Sequence, residues 1–423
     1  MGPGAGVAED VSAAAARPAA ERVAVLDALR GFALLGILLA NIQYWSGWSF
    51  IKPPEKAALA GGAWTEATDF LHLLLIDGKF YTLFSFLFGL GFALQLARLE
   101  AKGANGVAIY RRRLLVLLAI GIVHMVLIWD GDILTLYALL GLSLPLFRMW
   151  SGRRLLGAAA LLLLVPIPGV LLVQALGVPP HFGFFTLGDR IGAALGGAPA
   201  TPVAWLQREE WSAYWAWVLG GWPYRFGTIF LTWRIPKVLA IMLIGLWAGR
   251  RLVEGRLLED RLLLRRVAIW GALIGLPANA AYAMSGGFWQ EDSRSIFLAH
   301  VFNAIGVVPL GLAYAAGFAL LWRHAEGALR LLVAPGRMAL TNYLSHSLLG
   351  IALFYGVGLG LVGRLAPAGF YSLALLIFAG QILFSHLWLA RFEQGPMERL
   401  WRLGTYGRRR TVAVKVSAAR NGP

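Results

Sequence analysis

The chain has 423 residues, 58% of them hydrophobic and 14% charged, and its mean hydropathy is +0.66; a soluble domain carries roughly 25% charged residues. That composition excludes a soluble globular domain, and the absence of cysteine excludes disulfides, thiolate metal sites and a cysteine nucleophile. The formal charge of +16 lies in short loops between apolar runs, as the positive-inside rule arranges it, which argues against a nucleic-acid partner.

Several runs of about 18 or more apolar residues can each cross a ~30 Å hydrocarbon core as a helix. Alternating ten-residue strands are missing, so the fold class is all-α and polytopic rather than a β-barrel. In chain order, residues 1–22 are rich in Ala, Gly and Pro and read as a disordered cytoplasmic tail without a cleaved signal peptide. Spans are expected near 25–45, 79–97, 112–129, 133–149 and 155–176, forming an N-terminal membrane half over 23–176. A Trp-rich extracytoplasmic segment follows over 177–235, read as an amphipathic helix on the outer surface or as a lid. Spans near 236–250, 267–285, 298–321, 339–362 and 370–390 make a C-terminal half over 236–391, and 392–423 is a basic cytoplasmic tail. With ten spans and a cytoplasmic N-terminus, 27 basic residues face inward and 10 outward, which favours both termini inside.

Charged groups at membrane depth cost at least ~2.5–3.5 kcal/mol each, so each needs a partner or a wet cavity. In the first span Asp27 and Arg30 share a helix face, either as a local ion pair or with Arg30 aimed at an anion such as a phosphate. Asn41 lies about 21 Å further along that helix, near its outer end. Lys79 opens the second span, where snorkelling is the simple reading, and Gly89 and Gly91 suit close helix approach. The stretch "HMVLIWDGDI" places His124, Asp130 and Asp132 within nine positions. An imidazole beside a carboxylate is a general-base arrangement, and the plainer reading is a hydrogen-bonded intramembrane histidine. Asn342 and His346, four apart, and His300 and Asn303, three apart, read as helix hydrogen-bonding pairs. His386 and Gln381 are spaced too far round the helix to pair closely. No metal-ligand or nucleotide-loop motif is present, and no internal repeat of the kind common in transporters is visible.

Five blocks together resemble one family: "LDALRGFALLGILLANI", "GKFYTLFSFLFGLGF", "RRRLLVLLAIGIVHMVLIWDGDILTLYALLG", "GRMALTNYLSHSLLG" and "FEQGPMERLWRLGTYG". They match in order the YeiB-like family, whose C-terminal half is catalogued as domain of unknown function 418, over residues 22–407. The first block is also similar to the start of heparan-α-glucosaminide N-acetyltransferase and the wider transmembrane acyltransferases. That resemblance implies substrate-binding roles for Asp27, Arg30 and Asn41, with Gly31 part of the same motif. Lys79, Asn342 and His346, as polar groups in apolar spans, are further substrate-binding candidates. The resemblance implies acyl-CoA as donor and a small-molecule or lipid-linked acceptor, in contact with membrane lipid, in a bacterial-type inner membrane; homo-oligomer formation stays open. The acetyltransferase has its catalytic histidine in the loop after the first helix, where this chain offers only His72, in "FLHLLL". The resemblance therefore points to His72, whereas the residue pattern points to His124 with Asp130 or Asp132. A transporter or lipid-handling protein using the same polar groups is the alternative.

Overall fold

The computed structural model describes residues 4–177, 179, 181–196, 201–289 and 292–407, with side chains from Ala24 onward. Every regular element among them is helical. The first, α1 (Gly4–Trp45), runs through the segment read as a tail and then becomes the axis of the molecule. Ala28, Ala33, Leu34, Leu38, Ile42 and Trp45 on it are completely buried, a saturation expected only of a helix surrounded by other helices.

Two short helices follow, α2 (Pro53–Ala60) and α3 (Gly62–Leu75), then α4 (Lys79–Glu100) and α5 (Gly106–Leu127). The expected span at 133–149 is absent as such. It is α6 (Leu134–Gly141), eight residues long, and a 3-10 turn at Leu144–Phe147 containing Pro145. At about 1.5 Å per residue α6 covers only ~12 Å, too little to cross a bilayer alone. The pair α7 (Gly152–Leu164) and α8 (Pro166–Leu176) forms one long apolar rod.

The Trp-rich segment does not lie as a single surface helix. Residues 178, 180 and 197–200 fall outside the described residues; the rest form α9 (His181–Gly196), α10 (Pro202–Leu206) and α11 (Trp211–Leu231), with α9 packed on α11. Next, α12 (Arg234–Val253) leaves α11 at 68°. Trp233 makes that corner at φ 51, a left-handed conformation a bulky residue adopts only under tertiary constraint, and its ring packs on Gly169. The remainder is α13 (Arg261–Met284), the kinked α14 (Ser293–Leu329), α15 (Val333–Arg337), α16 (Ala339–Phe354), α17 (Pro367–Arg391) and α18 (Pro396–Tyr406). Residues 408–423 of the basic tail lie outside the described residues.

Among the described residues, six helical stretches are long and apolar enough to cross a membrane, or up to seven if the bent α11–α12 pair is one span. The chain is therefore a multi-pass membrane protein, with fewer such helices than the ten spans expected. Its expected loops sort to two ends of the bundle. At one end Trp401 donates to the Arg113 carbonyl, Arg250 reaches the 147–150 carbonyls, and Glu398 accepts from the Leu340 and Thr341 amides. At the other, Gly363 bonds to Ser46, Trp48 to Asp69 and Tyr214 to the Ile128 carbonyl. Of the two glycines expected to admit a neighbour, Gly89 does so against the Met242 carbonyl, whereas Gly91 faces open space.

Candidate functional site

His124 is placed at the last turn of α5 and is 1% exposed. Three residues later the helix ends at Leu127, and the following segment, "WDGDI", turns back so that Asp132 faces the ring. Asp132 Oδ2 lies 2.9 Å from His124 Nδ1. Its other oxygen accepts from the Thr135 amide at 2.7 Å, and its carbonyl accepts from Arg225 Nε at 2.6 Å. These contacts fix the aspartate from three directions. With an ionised carboxylate accepting at Nδ1, the proton of neutral His124 resides on Nδ1 and Nε2 is left as an acceptor.

Nε2 is occupied by a residue the sequence did not single out. Ser347 Oγ of α16 sits 2.9 Å away and is 1% exposed, so Asp132, His124 and Ser347 form a continuous buried line across two helices and a turn. Tyr343, one turn before Ser347, packs its ring 5.4 Å from the imidazole, and its hydroxyl accepts from the Ile133 amide. Trp129 closes the side toward α1, its ring tilted at 50° against Trp45 with centroids 4.8 Å apart. Asp130 feels the His124 ring only electrostatically, whereas Asp132 makes the hydrogen-bond contact. Asp130 packs against Gly221 of α11, and burial raises its carboxyl from 3.8 to about 6.

The other expected site residues lie apart from this line of contacts, in several separate places. Asp27 and Arg30 pair with each other near the basic end of the bundle. There Gly31 and Gly336 allow α1 to press against the Leu332 carbonyl and α15 to press against the Asp27 carbonyl, so the glycine of the Arg-Gly pair is a packing requirement. Next to this pair a cleft of about 330 Å³ opens between Ala24, Arg330, Val333, Ala334, Arg337 and His386. Asn41 is four residues from the far end of α1. His72 belongs to a third group: its Nδ1 is 3.1 Å from the Tyr371 hydroxyl, which also accepts from Gln43. Lys79 does not snorkel. It is fully buried and donates to the Leu73 carbonyl at 2.5 Å.

Asn342 and His346 are brought together, but by α17 and not by His124. Asn342 donates to Ser385 at 3.0 Å; His346 Nε2 lies 2.7 Å from Gln381 Oε1, and the Gln381 amide donates to Ser345 Oγ at 2.7 Å. His386 instead contacts its own helix at the Ile382 carbonyl. His300 bonds to the Leu231 carbonyl and Asn303 accepts from the buried Lys237 at 2.7 Å, so that pair ties α14 to α11 and α12. Among the described residues no group of three or more His, Asp or Glu is arranged to hold a metal ion.

The fold and this relay define the class: an all-helical, multi-pass membrane protein with a buried carboxylate, imidazole and hydroxyl in line. A family model described as "Protein of unknown function (DUF418)" matches residues 248–408. The chain is 34% identical to the uncharacterized protein YxaH of Bacillus subtilis (strain 168), over 93% of this chain and 97% of that protein. It is 31% identical to the uncharacterized protein YeiB of Escherichia coli (strain K12), over 90% of this chain and 96% of that protein. The chain belongs to the YeiB-like, DUF418 family.

Proposed function

We propose that this protein is an inner-membrane acyltransferase that moves an acyl group from cytoplasmic acyl-CoA to an extracytoplasmic or lipid-linked hydroxyl or amine. The observation that carries the reading is the hydroxyl–imidazole–carboxylate contact at His124: a general base already holding an O–H on Nε2 and steadied behind by a carboxylate. Asp132, rather than Asp130, orients the ring and stabilises the imidazolium formed during proton transfer. Arg330 and Arg337 line the cleft between α1, α15 and α17 beside the Asp27–Arg30 pair, their guanidinium groups are of the kind that grip phosphate, and the positive-inside count favours a cytoplasmic position for this end.

The test uses the full chain purified in lipid nanodiscs, supplied with acyl-CoA of graded chain length and membrane-lipid or sugar acceptors. Because the protein has no cysteine, any thiol that appears is released coenzyme. Acceptor-dependent thiol release supports the reading, and its absence across donors and acceptors overturns it. One observation favours the second reading, transport: Lys79 and Lys237 are buried to 0% and 2% exposure in a region that acyl transfer does not use, and intramembrane charges commonly mark an ion path. Proton flux in proteoliposomes without thioester consumption would select it.

A further inference from the structure

We infer that Ser347 is the nucleophile on which the acyl group rests between donor and acceptor, an assignment that builds on the acyl-transfer reading above. The hydroxyl is oriented unlike most others in helices among the described residues. Ser85, Thr82, Thr228 and Thr232 each donate to the carbonyl four residues earlier, and Ser345 to the one three residues earlier, the usual way a serine or threonine satisfies itself in an apolar helix. Ser347 instead points across to His124 Nε2 at 2.9 Å, with Asp132 behind the same ring.

The chemistry follows from the line of contacts. Ser347 Oγ attacks the thioester carbonyl while its proton passes to His124 Nε2. The C–S bond breaks, and the coenzyme leaves as a thiol carrying that proton, so the acyl group remains as an ester on Ser347. An acceptor O–H or N–H then gives its proton to Nε2 and attacks the ester carbonyl; the C–Oγ bond breaks, and Oγ takes the proton back. No oxidant or reductant enters. Tyr343 is suited to the charge that builds on the carbonyl oxygen in both steps. Its oxygen is held by the Ile133 amide, which leaves its own proton available to an oxyanion one helical turn from Ser347.

The experiment mixes the purified full chain with acyl-CoA and no acceptor, quenches within seconds, and maps adducts by peptide mass spectrometry. The expected result is an acyl adduct on Ser347, with about one thiol released per chain before turnover stops. Ser347→Ala should lose both and should lower transfer to acceptor by about 10²-fold or more. In this cysteine-free chain Ser347→Cys creates a single thiol, whose adduct should be a thioester cleaved by neutral hydroxylamine, a signature no structural role produces. Should the wild type transfer acyl groups without any adduct at Ser347, or Ser347→Ala transfer at full rate, the nucleophile assignment falls and direct transfer by His124 stands. Should the wild type neither release thiol nor transfer, the acyl-transfer reading falls with it. A folding failure of Ser347→Ala leaves the wild-type adduct map to decide.

Discussion

Two buried histidines, His124 and His346, stand one residue of α16 apart in their connections: His124 reaches Ser347 from α5, whereas His346, next to that serine, turns to α17. Both are 1% exposed and both have a partner on Nε2. They differ on the other nitrogen. His124 Nδ1 meets a carboxylate, and His346 Nδ1 has no hydrogen-bond partner among the described residues. A ring with a carboxylate behind it can take a proton and be stabilised as the cation; a ring bonded only to an amide gains nothing from doing so. The comparison separates proton chemistry at α5–α16 from helix fastening at α16–α17.

The largest effect that tests this division is at His124. His124→Ala should reduce turnover by about 10²–10⁴-fold while leaving membrane insertion intact, since it removes a polar group from an apolar helix end. Asp132→Asn should reproduce much of that loss and Asp130→Asn little of it, because only Asp132 touches the ring. His72→Ala should be mild in steady-state kinetics, as its partner is Tyr371 in another group. A severe His72 variant beside a normal His124 variant would reverse the assignment.

His346→Ala should do the opposite. It deletes the bond to Gln381 and strands a buried amide oxygen, which costs about 1–3 kcal/mol, read as a lower Tm in detergent with turnover per folded molecule nearly unchanged. Loss of turnover at normal Tm would erase the distinction between the two histidines. Arg30→Lys keeps charge but not the fork, so KM for the donor should rise roughly tenfold, about 1.4 kcal/mol, with kcat preserved. If Tm drops instead and KM holds, the pair with Asp27 is only a fastening within α1.

How much of this was visible in the sequence follows from the range over which each feature is determined. The all-α membrane class is a property of composition and period, and it was legible throughout. His124 and Asp132 are eight residues apart, so the turn that joins them is local and their pairing could be suspected; the choice of Asp132 over Asp130 depends on which way "WDGDI" turns and needed the fold. Ser347 was not legible, because it comes 223 residues after His124 and a serine in an apolar helix ordinarily bonds its own backbone. Lys79 was misread for a related reason. Its position at a span's start suggested the interface, yet α4 begins inside the bundle. The span at 133–149 failed because hydropathy cannot see that Pro145 and the need to aim Asp132 at α5 break the helix.

The smallest effect concerns the aspartate that does not join the relay, and its sign is fixed by burial. Asp130 has its carboxyl raised from 3.8 to about 6, so the fold favours the protonated form, while in the unfolded chain the group titrates near 3.9. Below about pH 4 both states are protonated and the residue carries no penalty. As pH rises from about 4 to about 6 the unfolded state ionises first, and stability is progressively lost; above about 6 the loss is complete and constant. Asp130→Asn lacks that loss. Its stability should match wild type near pH 4 and exceed it above pH 6, by about 1 kcal/mol once the carboxyl's partial contact with solvent is allowed for, read as a higher Tm. Thermal unfolding of both proteins in the same detergent from pH 4 to 8 measures the difference directly, with other titrations cancelling. A gap that stays flat or reverses above pH 6 would mean that ionised Asp130 is held by Arg225, whose charge opposes the burial effect, and it would tie Asp130 to the residue that also grips the Asp132 carbonyl. In that event the two aspartates would form one anionic unit around Arg225, and Asp130→Asn should then disturb turnover as well.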